Sequence, residues 1–170
     1  MTIRAIGLAL LGFALLVTQS TLYHVIPWGP ATPALLLPLL LAMGLSGVPP
    51  AWGSPIAFVV GYMADAISGN PMGLLTIVSV GTFLFGALAS GRLFVEGIPF
   101  QILLTFVASI GSSVTILGLR WVFEQGWRGS EIAWLDLTLG ALATAASAPI
   151  VFFLAARLVP RRSVEERVPA

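Results

Sequence analysis

Between Arg4 and Arg92 the chain carries one charged side chain, Asp65, and that scarcity restricts its fold more than any other feature. Apolar stretches of such length lack the polar surface that a water-soluble domain presents, so they need lipid around them. Composition agrees, because 58% of the 170 residues are hydrophobic and 9% are charged, with a mean hydropathy of +1.00. The expected fold class is an all-α membrane protein, a bundle of about six transmembrane helices, since helices satisfy their own backbone polar groups inside a bilayer. Formal net charge is +1, all eight basic residues are arginine, and four of them, Arg157, Arg161, Arg162 and Arg167, crowd the C-terminus. That pattern fits a cytoplasmic tail and argues against nucleic-acid binding. Cysteine is absent and His24 is the single histidine, which excludes disulfides, thiolate metal sites and histidine clusters, so no metal or cofactor is expected.

Hydrophobic runs and their breakers place the spans. The first runs from Ile3 to Tyr23; Arg4 precedes it as in a signal peptide, but the apolar character continues to Ile26 without a small-x-small cleavage site, so it reads as a true span. The second and third, Pro33 to Gly47 and Trp52 to Ile67, are short and bounded by Pro27, Pro30, Pro33, Pro49, Pro50 and Pro55, which predicts a hairpin packed inside the bundle. The fourth covers Gly73 to Ser90, the fifth Phe100 to Leu119 and the sixth Leu135 to Leu158. Residues 1–158 then form one transmembrane domain, and 159–170 an arginine-rich cytoplasmic tail.

Drawn this way, Arg4, Arg92 and the C-terminal arginines share one side, against Arg120 and Arg128 on the other. The positive-inside rule then puts both termini in the cytoplasm. Trp28, Trp52, Trp121, Trp127 and Trp134 all fall at span ends, where amphipathic rings prefer the interface. In the outer loop Arg120, Glu124 and Arg128 recur every four residues, on one face if that loop is helical; the simpler reading is a solvated loop anchored by its tryptophans.

Inside the spans, Gln101, Thr105, Ser109 and Ser112 line one face of the fifth helix and should turn inward. Gly140, Thr144 and Ala148 make a small-residue stripe on the sixth, and Gly81, Gly86 and Ser90 belong to the same category on the fourth. Helix packing explains such stripes more economically than a transport path.

The segment from Gly61 to Gly73 concentrates the chemistry. Asn70-Pro71 reads as a helix start, with asparagine as cap and proline at the first helical position. Gly69 permits a tight backbone conformation before that cap, and Gly73 would let another backbone come near the new helix. Asp65, at the end of the third span, is then placed to accept hydrogen bonds from exposed amides at the start of the fourth and to face its positive dipole end. A helix-break-helix staple and a direct partner contact are compatible roles for it.

The run Gly-Tyr-Met-Ala-Asp-Ala-Ile-Ser-Gly-Asn-Pro-Met-Gly, through Gly61, Asp65, Gly69, Pro71 and Gly73, resembles the conserved region of the MreD family, bacterial inner-membrane proteins of the rod-shape and cell-elongation machinery. Chain length, the six-span reading, the proline-rich connection before the third span and the short basic tail are also similar to that family. The resemblance implies a non-enzymatic scaffold that binds an MreC-like single-span periplasmic protein, an MreB-type filament and the SEDS glycosyltransferase–transpeptidase pair that elongates peptidoglycan. It also implies a fold like the substrate-binding subunits of energy-coupling-factor transporters, six helices around an outward hollow. Asp65, Asn70 and the glycines would shape the outer end of that hollow, while the tail would meet anionic lipid headgroups.

The same likeness carries an alternative, a vitamin-binding transporter subunit whose hollow is lined by Asp65, Gln101, Thr105 and Tyr62. A third class, an intramembrane aspartyl protease, needs two carboxylates sharing a site, here Asp65 and Asp136. Their flanks, Met63-Ala64-Asp65 and Trp134-Leu135-Asp136, lack the tyrosine or glycine neighbours typical of such enzymes.

Overall fold

A computed structural model describes residues 2–25, 32–68, 72–90, 97–123 and 134–158. Among them the chain forms α-helices and no strands: α1 (Thr2–Val25), α2 (Leu36–Leu45), α3 (Pro50–Ser68), α4 (Leu74–Ala89), α5 (Ile98–Phe123) and α6 (Trp134–Leu158). Each expected span has its helix, but three boundaries differ in instructive ways.

The second helix is ten residues, not fifteen, because Ala34 and Leu35 stay outside it and Gly47 closes it. Gly47 takes φ +73°, and the Gly47 and Val48 amides donate to the carbonyls of Gly44 and Met43 at 3.1 and 3.4 Å. This 5→2 and 6→1 pairing around a left-handed residue is how a Schellman motif ends a helix, and glycine adopts that φ without steric cost. The fourth helix begins at Leu74, three residues past the expected proline start. The fifth runs on through Arg120-Trp121-Val122-Phe123, so the first residues assigned to the outer loop are its last helical turn.

The helices pack as a ring around a centre. Contacts run α1 to α3, α3 to α4, α4 to α5, α5 to α6 and α6 to α1, and α2 touches all five. Every residue of α2 from Leu36 to Gly44 is buried. A helix apolar on all sides belongs in a core, and at about 15 Å long it is half the height of a bilayer's hydrocarbon layer. The expected hairpin of α2 with α3 is therefore replaced: α2 leans chiefly on α4 and α6, while α3 pairs with α4.

Glycines set how closely the centre approaches the ring. A Cβ on Gly44 would lie 2.5 Å from the Phe83 carbonyl oxygen and 2.6 Å from the Ala87 nitrogen, and one on Gly86 would lie 3.1 Å from the Leu41 carbonyl oxygen. Thus α2 and α4 touch backbone to backbone at this end. Phe83, fully buried, fills the volume over Gly53, where any Cβ would enter its ring. Leu15, Leu16, Leu39, Leu40, Met43, Val60, Phe83 and Val151 belong to one continuous core.

The outer faces are apolar as well. Leu10, Phe13, Phe58, Val59, Ile77, Phe85, Leu103, Val107, Leu142 and Phe153 are all exposed. The 25-residue segments Ile98–Val122 of α5 and Trp134–Leu158 of α6 are long and apolar enough to cross a membrane.

Candidate functional site

Asp65 lies at the start of the last turn of α3, and 1% of it is exposed. Its position follows from Gly61, one turn earlier on the same face. A Cβ on Gly61 would sit 2.8 Å from both the Thr76 Cα and the Ser79 Cβ, so the bare glycine lets α3 lie directly against the first turns of α4. That contact brings the carboxylate to the N-terminus of α4. Asp65 Oδ2 accepts from the Gly73 amide at 2.9 Å, the Thr76 amide at 3.0 Å and the Thr76 hydroxyl at 2.7 Å, while Oδ1 accepts from the Leu75 amide at 2.8 Å.

The amides involved belong to the first turn of a helix, where no earlier carbonyl exists to receive them. Residues capping their own helix usually meet this need, yet the cap position, Gly73, has no side chain. Asp65 does so from another helix. Its negative charge also faces the positive end of the α4 dipole. A buried carboxylate is otherwise costly; here four donors and a dipole compensate it. Among the described residues it is the one buried charged side chain.

Gly73 owes its glycine to a different cause from the one expected. Nothing lies within 4 Å of where its Cβ would be, so no backbone approaches it; instead it takes φ +99°, a left-handed conformation in which side chains are strained. Gly69, Asn70 and Pro71 lie outside the described residues, as do Glu124, Arg128 and the tail at 159–170.

A second helix start is capped the same way. The Leu35 amide donates to Gln19 Oε1 of α1 at 3.0 Å, and the Ala34 amide to Thr144 Oγ1 of α6 at 2.9 Å. The Thr144 hydroxyl in turn donates to the Gly140 carbonyl at 2.7 Å. The stripe of α6 thus packs and also anchors the centre of the bundle, with Thr144, Ala141, Ala145 and Ala148 buried. On α4, Gly86 faces α2, whereas Gly81 is exposed with open space around it and takes no part in packing within the chain.

On α5, Thr105 and Ser109 are buried and Gln101 and Ser112 half-buried, with the Ser112 hydroxyl bonded to the Ser109 carbonyl at 2.8 Å. The Thr105 hydroxyl is enclosed without a hydrogen-bond partner among the described residues. None of these residues supplies a hydrogen bond to Asp65, whose partners are Gly73, Leu75 and Thr76. Tyr62 is half exposed on the outside of α3, and Asp65 gives both its oxygens to α4. Asp136 is exposed in the first turn of α6 and so does not share a buried site with Asp65. Thr76, which binds Asp65 through both amide and hydroxyl, and Gln19, inside α1, were not anticipated; a polar side chain within an otherwise apolar helix is the signal that finds them.

Comparison with protein-family models, with curated proteins and with solved structures gave no match for this chain. The functional reading therefore rests on the residues and their geometry.

Proposed function

We propose that this chain is a multi-pass protein of the bacterial inner membrane, with both termini in the cytoplasm, that acts as a non-enzymatic scaffold of cell elongation. The observation that carries the scaffold reading is the state of Asp65. A carboxylate inside an apolar bundle is the natural candidate for proton or substrate chemistry, and this one spends both oxygens holding the start of α4 to α3. Its place in the pattern shared with the MreD family is then structural. The staple fixes the junction that presents the outer ends of α3 and α4 to a partner such as an MreC-like single-span protein, and through it to the filament and the peptidoglycan-synthesising pair.

Membrane residence is supported by the exposed apolar faces on every ring helix, far beyond the patch size a soluble monomer carries. Trp52, Trp121 and Trp134 are exposed at helix ends, as an interfacial belt requires, and Arg157 stacks its guanidinium 4.7 Å from the Phe153 ring near the end of α6. The remaining tail arginines would add about 1 kcal/mol each of attraction to anionic headgroups.

Depletion of the protein in its native host tests the role. Under this reading rod-shaped cells widen and round while insertion of new peptidoglycan loses its pattern. Unchanged shape together with a growth requirement for one vitamin would replace the scaffold by a substrate-capturing transporter subunit.

A further inference from the structure

The ring is not of even height. Exposed large apolar side chains extend from Trp52 to Ile67 on α3 and from Ile77 to Leu88 on α4, against Ile98 to Val122 on α5 and Trp134 to Leu154 on α6. At 1.5 Å per residue these bands are about 22 and 17 Å tall on the first pair and about 36 and 30 Å on the second. The helices themselves repeat the difference, with 19 and 16 residues in α3 and α4 and 26 and 25 in α5 and α6. A hydrocarbon layer is about 30 Å thick, so the α5–α6 wall spans it with some tilt and the α3–α4 wall falls short.

We propose that the α3–α4 wall is a lipid-facing surface matched to a thinner hydrocarbon layer than the α5–α6 wall, so that shorter acyl chains gather along that one side. Lipid is the occupant because the wall's exposed residues, Phe58, Val59, Met63, Ile77, Phe85 and Leu88, are apolar and bulky. Glycine is what a closely packed helix partner needs, and the exposed Gly81 is flanked by such bulk. A short wall in a bilayer of ordinary thickness is accommodated by local thinning at a cost of a fraction of a kcal/mol per Å, a cost that shorter chains avoid. This inference rests on the membrane reading above.

The absence of native cysteine makes the test direct. Gly81 in the middle of α4 and Gly111 in the middle of α5 are both exposed, with nothing beyond their own helix backbone within 4 Å of where a Cβ would sit. The full chain carrying Gly81→Cys or Gly111→Cys takes a thiol-reactive fluorophore and is reconstituted into vesicles of equal parts short-chain and long-chain phosphatidylcholine. In one set the short chains are brominated, in the other the long. Quenching at position 81 by the short-chain lipid should exceed that at position 111 by about two-fold after normalisation to the long-chain lipid. Equal ratios at the two positions overturn the inference and leave the membrane reading standing. A label at 81 shielded from both lipids, with 111 quenched, overturns it in favour of a protein, a second copy of the chain, on that wall. Absence of quenching at both positions overturns the membrane reading itself.

Discussion

Asp65 shows how a single side chain does the work of a loop. Four hydrogen bonds converge on one carboxylate, so removing it leaves three backbone amides and a hydroxyl without an acceptor in a buried place. Asp65→Ala should cost about 3 kcal/mol or more, read as a fall in Tm of the purified protein in detergent. Asp65→Asn should cost less, about 1–2 kcal/mol, because its carbonyl oxygen replaces Oδ2 while its amide group meets the Leu75 amide as donor against donor. Equal stability of both variants with the parent would refute the staple. The contact itself was legible beforehand, since a lone charge nine residues before a helix start has few other partners. The glycines were less so: Gly73 serves φ and Gly61 serves closeness, and sequence alone does not separate these two uses of a missing side chain.

At the level of helices, close approach and cross-helix capping divide the labour. Gly61→Ala should lower stability by about 1–3 kcal/mol, since the new methyl meets the Thr76 backbone and only a shift of α4 relieves it. Gly81→Ala, on the same pair of helices but facing open space, should be neutral or stabilising by up to about 1 kcal/mol. Thermal unfolding of the two variants side by side checks the pair, and a reversed order would contradict the packing. Thr144→Val keeps the shape of the side chain and removes the acceptor of the Ala34 amide, a loss of about 1–2 kcal/mol in the same assay. Helix number and approximate bounds could be read from apolar runs and their proline and glycine breaks. The centrality of α2 could not, because every segment here is apolar, and the contrast that normally marks a buried helix is missing. Nor could the start of α4, since Asn70-Pro71 offers a conventional cap and the actual cap arrives from α3.

For the molecule as a whole, five helices wrap a short central one, and each end of the bundle is fixed differently. One end holds Gly44 on Gly86, backbone against backbone, and the Phe83 ring over Gly53; toward the other, Asp65 caps α4 and Gln19 with Thr144 caps α2. The polar caps are the specific, orientable part of the bundle. Composition alone foretold an apolar helical bundle; which of its faces stay exposed depends on tertiary placement, which no local pattern encodes. Whether this chain holds other proteins in place, as proposed, is decided by purification of the tagged full chain from its native membrane in mild detergent, with mass spectrometry of proteins and small molecules together. A scaffold of cell elongation should bring with it a single-span, coiled-coil periplasmic protein and cell-wall polymerases. Recovery instead of an ATPase pair with a stoichiometric bound metabolite would contradict it.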